Sequence, residues 1–185
     1  MIEYIKGQVT DVNPTYVVIE AAGVGYAINI ALPTYSELVG KEGLESRLYI
    51  TEIIREDAHE LYGFFSKGER ELFVMLMTVS GIGANTARMI MSAYSAAEIR
   101  QIIATGNARA LAQVKGLGPK TAQRIIVDLK DKVLKIDLAV GDRGEIGDEA
   151  IKLFGEEAQS VDGAVKQEAV SALVMLGFAA TASGK

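Results

Sequence analysis

The chain has 185 residues, 49% of them hydrophobic and 23% charged, with 19 Lys+Arg against 24 Asp+Glu; this composition excludes disorder throughout and allows one medium domain or two or three small ones. No apolar run approaches the roughly 20 residues a bilayer span needs, and the polar-interrupted start Met1-Ile2-Glu3-Tyr4-Ile5-Lys6 is unlike a signal peptide, so a soluble cytoplasmic protein is expected. Zero cysteines and a single histidine, His59, exclude disulfide scaffolds, thiol catalysis and zinc sites of the usual Cys/His kind.

From Ile2 to Tyr62 short runs of β-branched and aromatic residues predict five strands, with alternation in Tyr26-Ala27-Ile28-Asn29-Ile30 and dense apolar stretches at Val17-Val18-Ile19 and Leu48-Tyr49-Ile50. Asn13-Pro14-Thr15 and Ala22-Gly23-Val24-Gly25 supply hairpin breaks, and Pro33 to Ser46 is a longer connection between the third and fourth strands. Five strands with one long crossover point to a small OB-like barrel, other five-stranded modules remaining open on pattern alone. Residues 1–63 are acidic, with 4 Lys+Arg against 10 Asp+Glu, a net of −6.

After Gly63 the period becomes helical. Ser66 with Glu69 forms a capping box ahead of the stripe Leu72, Phe73, Leu76 and Val79, and Ser95 with Glu98 forms another ahead of Ile99, Ile102 and Ile103, with Gly106 as a stop. Short helices continue to about Leu134. Residues 64–135 carry 11 Lys+Arg and 5 Asp+Glu, a net of +6, whereas residues 136–185 carry 4 and 9, a net of −5. A basic middle between acidic flanks suggests a local polyanion site, because surface potential decays over a Debye length of about 8 Å at physiological salt. Residues 136–164, rich in Gly, Asp and Glu, are expected to form a flexible acidic linker, and Val165 to Phe178 recovers a helical stripe.

Inside the basic segment, Val79-Ser80-Gly81-Ile82-Gly83-Ala84-Asn85-Thr86-Ala87 is echoed 35 residues later by Val114-Lys115-Gly116-Leu117-Gly118-Pro119-Lys120-Thr121-Ala122, with five positions identical. Each copy ends one helix, turns through Gly-aliphatic-Gly and opens another. Gly81, Gly83, Gly116 and Gly118 permit the reversal and a close backbone approach, while Ile82 and Leu117 plug the helix pair. The hairpin amides, of Gly81, Ile82, Gly83 and Ala84 in the first copy and of Gly116, Leu117 and Gly118 in the second, lie at the new helix N-terminus and are expected to bind DNA phosphate. The pattern is that of the helix-hairpin-helix motif, which reads backbone and not bases, so binding should be sequence-independent and salt-sensitive. Lys120 and Arg124, one turn apart on one face, add charge to the second seat; Asn85 stands where Lys120 stands, leaving the first less cationic. Gly116-Leu117-Gly118-Pro119-Lys120-Thr121 is not a Walker A loop, since Pro119 interrupts Gly-Lys-Thr; Ser183-Gly184-Lys185 lacks the required Gly at Ala179. No dinucleotide fingerprint occurs, and no cofactor or catalytic residue is expected.

Over roughly residues 1–135 the chain resembles the RuvA family of Holliday-junction-binding subunits. The resemblance rests on Gly23-Val24-Gly25-Tyr26, Arg55-Glu56-Asp57-Ala58, Leu61-Tyr62-Gly63-Phe64, Glu69-Arg70-Glu71-Leu72-Phe73 and the two hairpins in order. It implies an OB-fold barrel at 1–63 that tetramerises, a tandem helix-hairpin-helix domain at 64–135, and a mobile C-terminal three-helix, UBA-like domain beginning at 165–185. It also implies a homotetramer or an octamer of two face-to-face tetramers, holding an open four-way DNA junction, with the RuvB ATPase motor and the RuvC resolvase as partners. Glu56 and Asp57 correspond to the family's acidic pin, in the turn between the last two barrel strands; four copies would set eight carboxylates where the arms meet. Ala84-Asn85 departs from the Pro-Lys common in the family, shifting affinity toward the second hairpin. Because the stripe from Glu168 to Phe178 is followed only by seven residues, 165–185 is expected to be poorly ordered or truncated. An enzyme that docks through such hairpins, a glycosylase or metal-dependent nuclease using Glu56, Asp57, Asp128 or Asp137, is the alternative, and a protein-binding scaffold a third.

Overall fold

The computed structural model describes residues 1–133. The linker expected at 136–164, the helical domain start expected at 165–185, Asp137 and Ser183-Gly184-Lys185 all lie outside the described residues. Five strands, β1 (Tyr4–Val12), β2 (Tyr16–Ala21), β3 (Val24–Asn29), β4 (Glu45–Ile54) and β5 (His59–Phe64), close into a barrel in the order β1-β2-β3-β5-β4. β3 pairs β5 in parallel at Ile28↔Leu61, and β1 closes on β4 in antiparallel register, Tyr4↔Tyr49 to Gln8↔Glu45. This is the five-stranded OB arrangement expected from the strand pattern. The β2–β3 break is tighter than the residues suggested: Val24 and Gly25 already pair with Ala21 and Glu20, leaving Ala22 and Gly23, both at positive φ, as the turn.

Alternating residues fill the barrel: Ile5, Val9, Val17, Ile19, Ile28, Leu48, Ile50 and Leu61 are all buried in one apolar cluster. The crossover between β3 and β4 contains a helix the pattern did not reveal, α1 (Leu32–Leu38), which buries Thr34 and Leu38.

β5 is buried on both faces. Leu61 points into the barrel, whereas Tyr62 and Phe64 belong to the helical core and meet Phe73 at ring-centroid distances of 5.1 and 4.9 Å. Phe73 lies on α2 (Lys67–Met77), whose Ser66 cap has both halves of the capping box in place. The core continues through α3 (Ala84–Ala93), α4 (Ala96–Ala104), α5 (Ala108–Leu111) and α6 (Pro119–Val133) as Leu76, Ile90, Ile99, Ile103, Leu111, Ile125 and Leu129. Among the described residues no helix is long and apolar enough to cross a membrane.

Candidate nucleic-acid interface

Both repeated bends have the same build. Val79 ends the first approach and Val114 the second; each accepts the amide of the aliphatic three residues on, Ile82 N–H to Val79 C=O at 3.0 Å and Leu117 N–H to Val114 C=O at 3.0 Å. The first glycine of each bend has a left-handed φ, +91° at Gly81 and +84° at Gly116, so a β-carbon there would be strained. Ile82 and Leu117 turn inward, 6% and 5% exposed, and Ala87 and Ala122 are fully buried behind them. The plug role expected of the two aliphatics is what the packing displays. Their amides, however, are engaged inside the turn, so the two residues offer a buried side chain and not an N–H to a ligand.

The amides left over belong to the next residues. In the first bend, the earliest helical bond is Ala87 N–H to Gly83 C=O, so Ala84, Asn85 and Thr86 precede it as first-turn donors. In the second bend Ala122 N–H donates to Gly118 C=O, and Lys120 and Thr121 precede it, Pro119 having no N–H. Gly83 and Gly118 are exposed, and a β-carbon built on either meets nothing within 4 Å. Gly83 has φ −96°, a conformation open to any residue. Neither internal crowding nor, at Gly83, backbone geometry calls for a glycine, yet both positions leave a bare surface over a helix N-terminus.

Lys120 is exposed on the first turn of α6. Arg124 is also exposed, but its guanidinium reaches back to the first bend, donating from Nη1 to the Ser80 carbonyl at 3.2 Å. The two bends are thus tied to each other through the residue that precedes Gly81. Asn85, where the second copy carries Lys120, accepts at Oδ1 from Arg88 Nη2 at 3.2 Å. The same guanidinium donates from Nη1 to the barrel carbonyls of Thr15 at 3.1 Å and Ile30 at 3.5 Å. Sequence reasoning missed Arg88; its only local trace is the i, i+3 spacing from Asn85 on one helix face.

Glu56 and Asp57 form the exposed apex between β4 and β5, closed below by Arg55 N–H to Ala58 C=O at 2.8 Å and by the Ile54↔His59 pair. No side chain of the described residues bonds to either carboxylate, in keeping with a pair that is simply presented. Beneath the apex, Glu52 takes the Ile2 amide at 2.9 Å and His59 Nε2 at 3.3 Å, and the Ile2 amide first, then His59, hold its carboxyl below the usual range. Asp128, one of the carboxylates of the enzyme alternative, is exposed on α6, and no group of three or more His, Cys, Asp or Glu suited to a metal ion occurs among the described residues.

Comparison with known proteins agrees with this geometry. Residues 1–63 match the family model of the RuvA N terminal domain, and residues 73–131 match that of a SAM-like helix-hairpin-helix tandem. A Bacteroides fragilis protein named Holliday junction branch migration complex subunit RuvA is 52% identical over 185 residues, covering 100% of this chain and 88% of that protein. Proteins of the same name from Porphyromonas gingivalis and Flavobacterium psychrophilum are 50% and 42% identical, covering 97% and 96% of this chain and 85% and 83% of theirs. Identity of this degree, running through barrel and hairpins alike, means that the chain belongs to the RuvA family.

Proposed function

We propose that the chain is a non-catalytic, cytoplasmic DNA-architecture subunit that binds four-way junctions without regard to sequence and directs a RuvB-type ATPase motor onto them. The observation that carries the reading is the pair of bends, Gly81-Ile82-Gly83-Ala84 and Gly116-Leu117-Gly118, whose exposed glycines flank a buried aliphatic and lead into first-turn amides. Main-chain donors at a helix N-terminus suit phosphodiester oxygens of any sequence. Lys120 adds a mobile charge to the second seat, and Arg124 joins the seats while keeping further donors for phosphate.

The barrel at 1–63 supplies assembly into a homotetramer or octamer and places Glu56 and Asp57 around the symmetry axis. There they oppose continuous duplex, so attraction at the hairpins and repulsion at the centre together select an open junction. Residues 136–164 act as the tether to the motor-binding segment at 165–185, and RuvC resolves the product.

A gel-shift titration of four-way and linear DNA of equal length, with light scattering for mass, tests the reading. Preferential retention of the junction by a tetramer or octamer is expected, weakening steeply with salt. Lys120→Glu should weaken binding to both DNA forms by about tenfold or more, since it reverses one phosphate-facing charge. Equal affinity for the two forms, or Mg²⁺-dependent strand cleavage by the purified chain, would refute it.

A further inference from the structure

Arg88 lies in the basic segment but is turned to the barrel. Its guanidinium donates to the carbonyls of Thr15 and Ile30 and to Asn85 Oδ1, and it has no carboxylate partner among the described residues. Its Nε is buried with no acceptor, the mark of a guanidinium inserted for geometry at some cost in solvation. Thr15 C=O already accepts the Ile30 amide at 3.0 Å, so Arg88 grips the end of the β2–β3 ladder remote from its Ala22-Gly23 turn and not a loose loop. One turn further along the same face of α3, Ser92 Oγ accepts the Leu32 amide at 3.2 Å. The exit helix of the first bend is therefore held to the barrel through Arg88 and to the start of the crossover helix α1 through Ser92, and Arg124 ties the second bend to the first.

We propose that Arg88 is a specificity-determining positioning residue. It fixes the angle between the first phosphate seat and the barrel that bears the Glu56-Asp57 apex, and so governs preference for a four-way junction over linear duplex. The inference rests on the junction-binding reading above. A linear duplex engages a seat locally and tolerates a range of seat orientations. A four-way junction must meet several seats while its crossover sits over the acidic centre, and simultaneous engagement is lost when geometry slackens. Asn85 acquires a role by the same argument: at the place of a phosphate-facing lysine it receives Arg88 and holds the seat in register.

The test compares Arg88→Met, Arg88→Lys and Ser92→Ala with the wild-type full chain, measuring Kd for a four-way junction and for linear duplex over a salt series. Arg88→Met should lose about tenfold in junction affinity while duplex affinity stays within about twofold, with an unchanged salt slope. Arg88→Lys, with one donor group in place of a fork, should fall between, and Ser92→Ala should shift the ratio in the same direction. A parallel fall for both DNA forms, or a salt slope shallower by about 0.9, would make Arg88 a phosphate contact and overturn the proposal. So would an unchanged ratio in Arg88→Met or, if that variant does not fold, in Ser92→Ala. Absence of any junction preference in the wild type would instead sink the underlying reading.

Discussion

The four bend glycines divide into two physical kinds, and the division makes a test. Gly81 and Gly116 hold left-handed φ, so alanine at either costs folding stability, by about 1 kcal/mol or more. Gly83 and Gly118 have open space where a β-carbon would go, and Gly83 has an ordinary extended φ. Gly83→Val and Gly118→Val should therefore leave the melting temperature within about 2 °C of wild type, a surface substitution of small cost. Both should nevertheless lower DNA affinity by about tenfold or more, because branched methyls would stand between the first-turn amides and a phosphate. Retained affinity in a folded Gly118→Val protein would show that the backbone does not approach DNA there. The Gly-aliphatic-Gly pattern was legible in the sequence because left-handed turns and buried plugs each demand a residue type. The long-range contacts of Arg88 and Arg124 were not, since those acceptors include backbone carbonyls 73 and 44 residues away, and a carbonyl belongs to every residue alike.

At the scale of elements, legibility followed the caps. The Ser66 and Ser95 boxes announce α2 and α4 because serine and glutamate three apart each accept the other's backbone amide, and both boxes are complete in the structure. α1 has no such signal: Ala31 caps it without a side-chain bond and it runs for only seven residues, so its existence depends on burying Leu38 against the barrel. Ser66 is buried, and Ser66→Ala should cost about 1 kcal/mol, lowering the melting temperature by about 2–4 °C for a chain of this size. The Ser95 box adds a pH signature. The Ser95 amide and then its hydroxyl hold the Glu98 carboxyl below the usual range. A carboxyl lowered by folding contributes stability above its unfolded value, near 4.3, and loses that contribution as pH falls through the folded value. Glu98→Gln should thus melt below wild type at pH 7, with the gap closing as the pH is taken below about 4. A gap constant over that range would mean that the carboxylate charge is not what the cap uses.

For the whole molecule, the decisive arrangement is the opposition between an acidic barrel and basic helices, with Glu56 and Asp57 exposed at the barrel's β4–β5 apex. A single pair of exposed carboxylates has little reach at physiological salt, where potential decays over about 8 Å. In the proposed assembly, repetition around an axis would change that, because several pairs brought within one Debye length would reinforce one another at the proposed crossing point. Replacing both by lysine changes each protomer's apex from two negative to two positive charges, so the centre would attract the backbone it had repelled. The double variant Glu56→Lys with Asp57→Lys should bind linear duplex about tenfold more tightly and lose most of its junction preference, while light scattering gives an unaltered mass. The neutral pair Glu56→Gln with Asp57→Asn separates charge from shape: an electrostatic centre predicts duplex affinity between wild type and the lysine form, converging on both near 1 M salt, where the screening length is about 3 Å. If the neutral pair matches wild type at low salt and only the lysines alter binding, the native carboxylates do not exclude duplex, and junction selectivity must come from the fixed angle of the hairpins alone.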